Sequence, residues 1–179
     1  MQQNDNRQPD DPASTRGLGR GMAVLAWVAL LGLLTLFFQD KLLDRVNPNR
    51  DVQSSRGEDG RIEVVLERNR MGHYVADGSI NGVSVTFLLD TGATGVAMSA
   101  RLAQRVGAPR GQPVVTRTAN GNATGYLTRL RFVQLGAIEQ NNVPASIAPG
   151  LATDEVLLGM SFLKNLEMIQ RGDTLTLRQ

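Results

Sequence analysis

Asp90 stands at the end of an apolar run, Phe87-Leu88-Leu89, and is followed at once by Thr91-Gly92-Ala93-Thr94. A strand that ends on an aspartate places a carboxylate at the mouth of a cleft with apolar side chains behind it. Apolar backing disfavours the charged form of a carboxylate, and nearby N–H and hydroxyl donors favour it. Gly92 permits a tight turn and close backbone approach. Thr91 and Thr94 offer hydroxyls that can hold the loop. One carboxylate cannot act as both general acid and general base in a single turnover. The tripeptide Asp90-Thr91-Gly92 occurs once in the 179 residues, so if Asp90 is catalytic the chain carries half of an active site and the function needs two copies of it.

Other chemistries are excluded by composition. The chain has no cysteine, which removes disulfides, thiolate nucleophiles and cysteine-bound zinc. His73 is its only histidine, and no Gly-x-Ser-x-Gly nucleophile elbow accompanies it. A histidine beside a tyrosine at the start of a strand reads as a surface or packing residue. The net charge is +2 with scattered arginines and few aromatics, so neither phosphate binding nor base stacking is indicated and no nucleic-acid partner is expected.

The elements that position Asp90 are mostly strands. Residues 62–67, 73–80 and 83–89 read as the first three, and Asn81-Gly82 between the latter two is a hairpin turn whose residues tolerate positive φ. Further strands are expected at 113–118, 125–135, 143–147, 156–158, 166–170 and 174–177. Arg171-Gly172-Asp173 spells an adhesion-like tripeptide, but its glycine and aspartate are what a turn between the last two strands requires. A short helix is expected from Ala100 to Val106, with Ser99 as N-cap and Gly107 as stop, and a second from Met160 to Asn165. Many short strands with little helix indicate a small closed β structure over residues 61–179.

The N-terminal third differs in texture. Residues 1–20 read as a disordered polar tail. Met22 to Phe38 is a run of seventeen residues without a charge, apolar on every side, and residues 21–38 are expected to form a single transmembrane anchor. The run ends Leu36-Phe37-Phe38-Gln39-Asp40, without the small residues of a signal-peptide cleavage site. Three arginines precede it, and Lys41, Arg45 and Arg50 follow, so the positive-inside count is a tie. A short tail before a compact domain favours a cytoplasmic N-terminus, which in a bacterial inner membrane leaves the domain in the periplasm. Residues 39–60, mixed in charge and punctuated by Asn47-Pro48, Gly57 and Gly60, read as a linker.

The segment Phe87 to Thr94 resembles the signature of retropepsin-like aspartic proteases, in which apolar residues lead into Asp-Thr-Gly-Ala and then Asp, Ser or Thr. Two further elements match in order. Thr118 to Gly125, rich in glycine between strands, falls where that family has its flap hairpin. Val156-Leu157-Leu158-Gly159-Met160 resembles the apolar strand and following helix that buttress the catalytic loop. With the N-terminal run included, the chain resembles the membrane-anchored retropepsin-like proteases of proteobacteria.

The resemblance implies an all-β fold, a small closed barrel with one or two short helices, preceded by the transmembrane helix. It implies a homodimer in which each subunit gives one Asp90 to a shared cleft and hydrolyses a protein or peptide substrate. Thr91 would bond to its counterpart across the dimer axis, Gly92 would present backbone to the site, and Thr94 would brace the loop. Asn120 and Gly121 would form the flap tip over the substrate. No metal or other cofactor is required. The competing reading is a membrane-tethered β domain of the same fold that binds peptide or protein without cutting it.

Overall fold

The computed structural model describes residues 22, 24–35, 37, 46–57, 59–118, 121–148, 151 and 154–179. The chain divides into two compact units, residues 1–42 and 43–179. In the first, residues 24–35 form helix α1, with helical backbone also at 22 and 37. Leu25, Trp27 and Leu33 on this helix are exposed. Its twelve consecutive residues span about 18 Å at ~1.5 Å per residue. Among the described residues no helix is long and apolar enough to cross a membrane. The anchor expected at 21–38 is therefore not seen as a spanning helix, and residues 21, 23, 36 and 38 of that run lie outside the described residues. So does the whole of the expected polar tail at 1–20.

The second unit is all-β with two short helices. Its elements are β1 (Ser54–Arg56), β2 (Ile62–Glu67), β3 (Val75–Ile80), β4 (Val83–Leu89), β5 (Val96–Met98), α2 (Ala100–Arg105), β6 (Pro113–Thr118), β7 (Gly121–Leu135), β8 (Ile138–Ile147), β9 (Glu155–Leu158), α3 (Met160–Leu163), β10 (Glu167–Arg171) and β11 (Thr174–Arg178). Neighbouring strands run β3-β4-β9-β5-β8-β7, and β7 returns to β3 through Ser79↔Gln134 and Ile80↔Val133. The ring is a closed six-stranded barrel. Strand β6 pairs only with β7 and so extends from the barrel as one arm of a hairpin. A separate four-stranded sheet, β1-β2-β11-β10, carries the C-terminal strands.

Alternation along the strands explains the core. In β2, Val64 and Leu66 are buried while Val65 and Glu67 are exposed. In β11, Leu175 and Leu177 are buried and pair with Leu66 and Val64. These side chains join Phe87, Val96, Met98, Leu130, Leu135, Val156, Leu158 and Phe162 in one apolar cluster. Closure removes the free edges of the barrel strands. The Asn81-Gly82 turn has φ of 53° and 83°, the left-handed pair that a two-residue hairpin needs. The Asn81 side chain then ties this turn to the neighbouring strand β7 and to the end of α2. Its Oδ1 accepts from Arg131 N at 2.9 Å, and its Nδ2 donates to the Val106 carbonyl at 2.8 Å.

Several elements go beyond the sequence reading. Strand β5, only three residues long, was not expected, and β7 and β8 begin four and five residues earlier than the apolar pattern indicates. The early part of β8 is Ile138-Glu139-Gln140-Asn141-Asn142, whose polar residues mask its strand character. Residues 46–57, within the expected linker at 39–60, are built into the folded unit. Asn47 and Asn49 there are buried. Asn49 Nδ2 donates to the carbonyls of Glu67 and Val75 at 2.9 and 2.7 Å, and its Oδ1 accepts from Glu67 N at 2.6 Å. Asn47 Nδ2 donates to Asp77 Oδ1 at 2.8 Å. Asparagines read as loop formers by composition, yet here the Asn49 amide bridges the backbones of β2 and β3.

Candidate active site

Asp90 follows directly on β4. Strand β9 lies between β4 and β5, parallel to β4 with Leu88↔Leu157 and Leu89↔Leu158, and it meets β5 at Ala97↔Leu157. The loop 90–95 that joins β4 to β5 must therefore arch over the end of β9. Three backbone bonds fasten the arch. Asp90 N donates to the Leu158 carbonyl at 3.2 Å, Ala93 N to the Asp90 carbonyl at 3.2 Å, and Met160 N to the Ala93 carbonyl at 2.9 Å.

Gly159 lies beneath the arch. A Cβ there would stand 2.6 Å from the Ala93 carbonyl oxygen and would also strike the carbonyl of Gly95. Only a residue without a side chain lets the loop sit this close. The sequence reading placed Gly159 between strand and helix, and the structure gives the steric reason.

Ser161 completes the support. Its Oγ accepts from Val96 N at 2.9 Å and donates to the Pro144 carbonyl at 2.8 Å, so one hydroxyl links the end of the Asp90 loop to β8. The sequence reading missed this residue, because a single serine after Gly-Met carries no signal that points to the loop.

The Asp90 carboxylate is partly buried, and its Oδ1 accepts from Gly92 N at 2.8 Å. A cavity of about 320 Å³ beside it is lined by Tyr74, Leu89, Asp90, Thr91, Leu163 and Met168, among others, and Asp90 is the only charged residue in that lining. Thr91, Gly92 and Thr94 are exposed. Neither threonine hydroxyl bonds to a described residue. Among the described residues the loop is braced by its backbone bonds, by Gly92 and by Ser161.

The flap assignment falls on the β6–β7 hairpin. Gly121 is the first residue of β7 and pairs with Thr118, while Asn120 lies outside the described residues. His73 is an exposed residue of the loop before β3, where its N–H donates to Asn69 Oδ1 at 2.9 Å. Gly172, with φ of 59°, sits in the turn between β10 and β11, as the turn reading of Arg171-Gly172-Asp173 requires. Among the described residues no group of three or more His, Asp or Glu side chains is placed to hold a metal ion.

A closed barrel with one Asp-Thr-Gly loop arched over the end of a strand that is followed by glycine is the arrangement of the retropepsin-like fold. The chain belongs to the retropepsin-like aspartic protease family, and the family described as gag-polyprotein putative aspartyl protease matches it over residues 76–165. It is similar to a crystal structure of a retropepsin-like aspartic protease from Rickettsia conorii, with a TM-score of 0.54 and 29% identity over 72% of this chain and 94% of that one. It is 36% identical over 145 residues to an uncharacterised protein from the cobV 5′ region of a Sinorhizobium species, covering 79% of this chain. It is 32% identical over 108 residues to an uncharacterised protein of Rickettsia prowazekii, covering 59% of this chain. The matched regions span 62% and 46% of the lengths of these two relatives.

Proposed function

We propose that this protein is a homodimeric aspartic endopeptidase whose active site is assembled from two Asp90 residues, one per subunit. The observation that carries this reading is the half-site itself. A single carboxylate, fixed by Gly92 N–H at 2.8 Å, stands in an exposed loop and lines a cavity that has no second acid. Two such carboxylates brought together share one proton, because both cannot ionise easily at close range. The ionised one takes a proton from a bound water as the water oxygen bonds to the peptide carbonyl carbon. The protonated one donates to the oxygen that gains charge. Collapse of the intermediate breaks the C–N bond, and the departing nitrogen takes a proton from the dyad. Thr91, exposed and without a partner among the described residues, would bond to its counterpart across the dimer axis. The β6–β7 hairpin covers the substrate and excludes water.

The test is cleavage of a peptide library by the full chain and by Asp90→Asn at mildly acidic and neutral pH. Specific activity should rise with protein concentration, and adding excess Asp90→Asn should suppress the wild type by forming mixed dimers. Equal cleavage by the two proteins would sink the aspartic mechanism.

Membrane tethering through residues 21–38 belongs to the same proposal and rests on the uncharged run Met22 to Phe38. A tether confines two weakly associating subunits to one surface and raises their effective concentration. The domain is placed on the periplasmic side of a bacterial inner membrane. Alkaline extraction of membranes tests the tether, and protease shaving of intact spheroplasts tests the side. Recovery of the chain in the extracted soluble fraction would remove the tether from the proposal.

A further inference from the structure

The net charge of +2 conceals an uneven distribution. Between Asp90 and Glu139 the sequence has six arginines and no acidic residue at all. Two of the six, Arg110 and Arg129, border a groove of about 400 Å³ whose walls include Pro109, Leu127, Pro144 and Ala145. No acidic side chain lines it. Leu127, 48% exposed, gives the groove a large apolar side chain open to solvent. Four arginines elsewhere are matched to acids, Arg101 with Asp154, Arg61 with Glu167, Arg68 with Asp173 and Arg178 with Glu63. Arg110 instead stacks over the Tyr126 ring at 5.1 Å, and Arg129 Nη1 reaches only the Asn142 carbonyl at 3.3 Å.

We propose that this groove docks an acidic segment of the polypeptide substrate, with an apolar residue of that segment seated between the two arginines. The proposal rests on the protease reading for the word substrate, and its chemistry stands on the groove alone. Two guanidinium groups without local counter-charge suit carboxylates, which they bind in a planar, paired geometry. The apolar floor suits a side chain such as leucine or phenylalanine. Nucleic acid fits less well, because no aromatic ring lines the groove for base stacking and the nearby Tyr126 ring is covered by Arg110.

The groove also borders both the β6–β7 hairpin and the support of the Asp90 loop. Gly111 N donates to the Leu127 carbonyl and Leu127 N to the Gln112 carbonyl, each at 2.8 Å, which ties the loop before β6 to the hairpin base. The Pro144 carbonyl on the other wall accepts from Ser161, the residue that braces the Asp90 loop. A docked segment thus contacts the base of the flap on one side and the support of Asp90 on the other.

The experiment uses the full-length Asp90→Asn protein, so that binding is read without cleavage. The probe is a fluorescein-labelled peptide, Glu-Asp-Leu-Phe-Glu-Asp, followed by anisotropy. Two control peptides replace its acids by Gln and Asn, or its Leu-Phe by Ser-Ser. Binding should weaken about tenfold or more for each control peptide and for the Arg110→Gln/Arg129→Gln double variant, and it should weaken as salt rises. The Arg50→Gln/Arg105→Gln variant should stay within about twofold of the parent. The proposal is overturned by absence of binding, by equal loss in both double variants, or by equal displacement with a duplex oligonucleotide of matched charge. Failure of wild-type cleavage, by contrast, strikes the protease reading and leaves this binding result to be judged separately.

Discussion

Gly92 donates its backbone N–H to Asp90 Oδ1 at 2.8 Å, so the loop fixes one oxygen of its own carboxylate before any second chain is present. The other oxygen bonds to no described residue. An amide oxygen can accept the same bond from Gly92. Asp90→Asn should therefore keep stability within about 0.5 kcal/mol while cutting peptide cleavage by roughly 10³-fold or more. Parallel urea unfolding and cleavage assays check the two halves. A large fall in stability would mean that the carboxylate charge holds the loop.

Gly159 and Gly95 make a contrasting pair. A methyl group at Gly159 would stand 2.6 Å from the Ala93 carbonyl oxygen, whereas at Gly95 the nearest atom is Ser161 Oγ at 3.5 Å, an ordinary contact. Gly159→Ala should cost about 1–3 kcal/mol through overpacking against backbone that cannot retreat, and it should abolish cleavage by lifting the Asp90 loop. Gly95→Ala should be close to neutral in both respects. Similar losses in the two variants, by thermal unfolding, would show that the arch over β9 is not tight.

Ser161→Ala removes an acceptor from Val96 N–H and a donor from the Pro144 carbonyl at once. Leaving the part-buried Val96 N–H unpaired costs about 1–3 kcal/mol, the Pro144 carbonyl is exposed and can turn to water, and the predicted fall in stability is about 2 kcal/mol. Hydrogen exchange at the Val96 amide should accelerate selectively, with the amides of β2 and β11 unchanged. Cleavage should fall more than stability, since the loop and not the barrel is loosened.

Asn49→Ala tests the segment that composition reads as linker. It deletes three side-chain bonds to Glu67 and Val75 and should destabilise the folded unit by about 2–4 kcal/mol. A chain shortened to begin at residue 61 should be worse, because it also lacks β1. If that shortened chain unfolds at the same urea concentration as one beginning before residue 46, the segment contributes nothing.

What was legible in the sequence was whatever depends on local pattern. The Asn81-Gly82 turn, strand β4 and the Asp90 loop follow from alternation, turn chemistry and a short motif, and the structure places them as read. What was not legible depends on partners distant in sequence. Strand β5 has three residues and exists because β8 and β9 lie on either side of it. Strand β1 is hydrophilic, Ser54-Ser55-Arg56, and is a strand only by pairing with β2. Ser161 acts across 65 positions to reach Val96. The role of Thr94 is not legible from its place in the motif alone, for the residue is exposed and its hydroxyl bonds to no described residue.

The Asn49 clasp also sets how the barrel bears load. Asn49 forms a parallel bridge with Ala76, and its carbonyl accepts from Asp77 N at 2.9 Å. Tension arriving along the upstream chain enters the wall at β3, beside the hairpin that leads into Asp90. Whatever the chain before residue 46 is fastened to, the domain is mounted by its wall and not by a loose end.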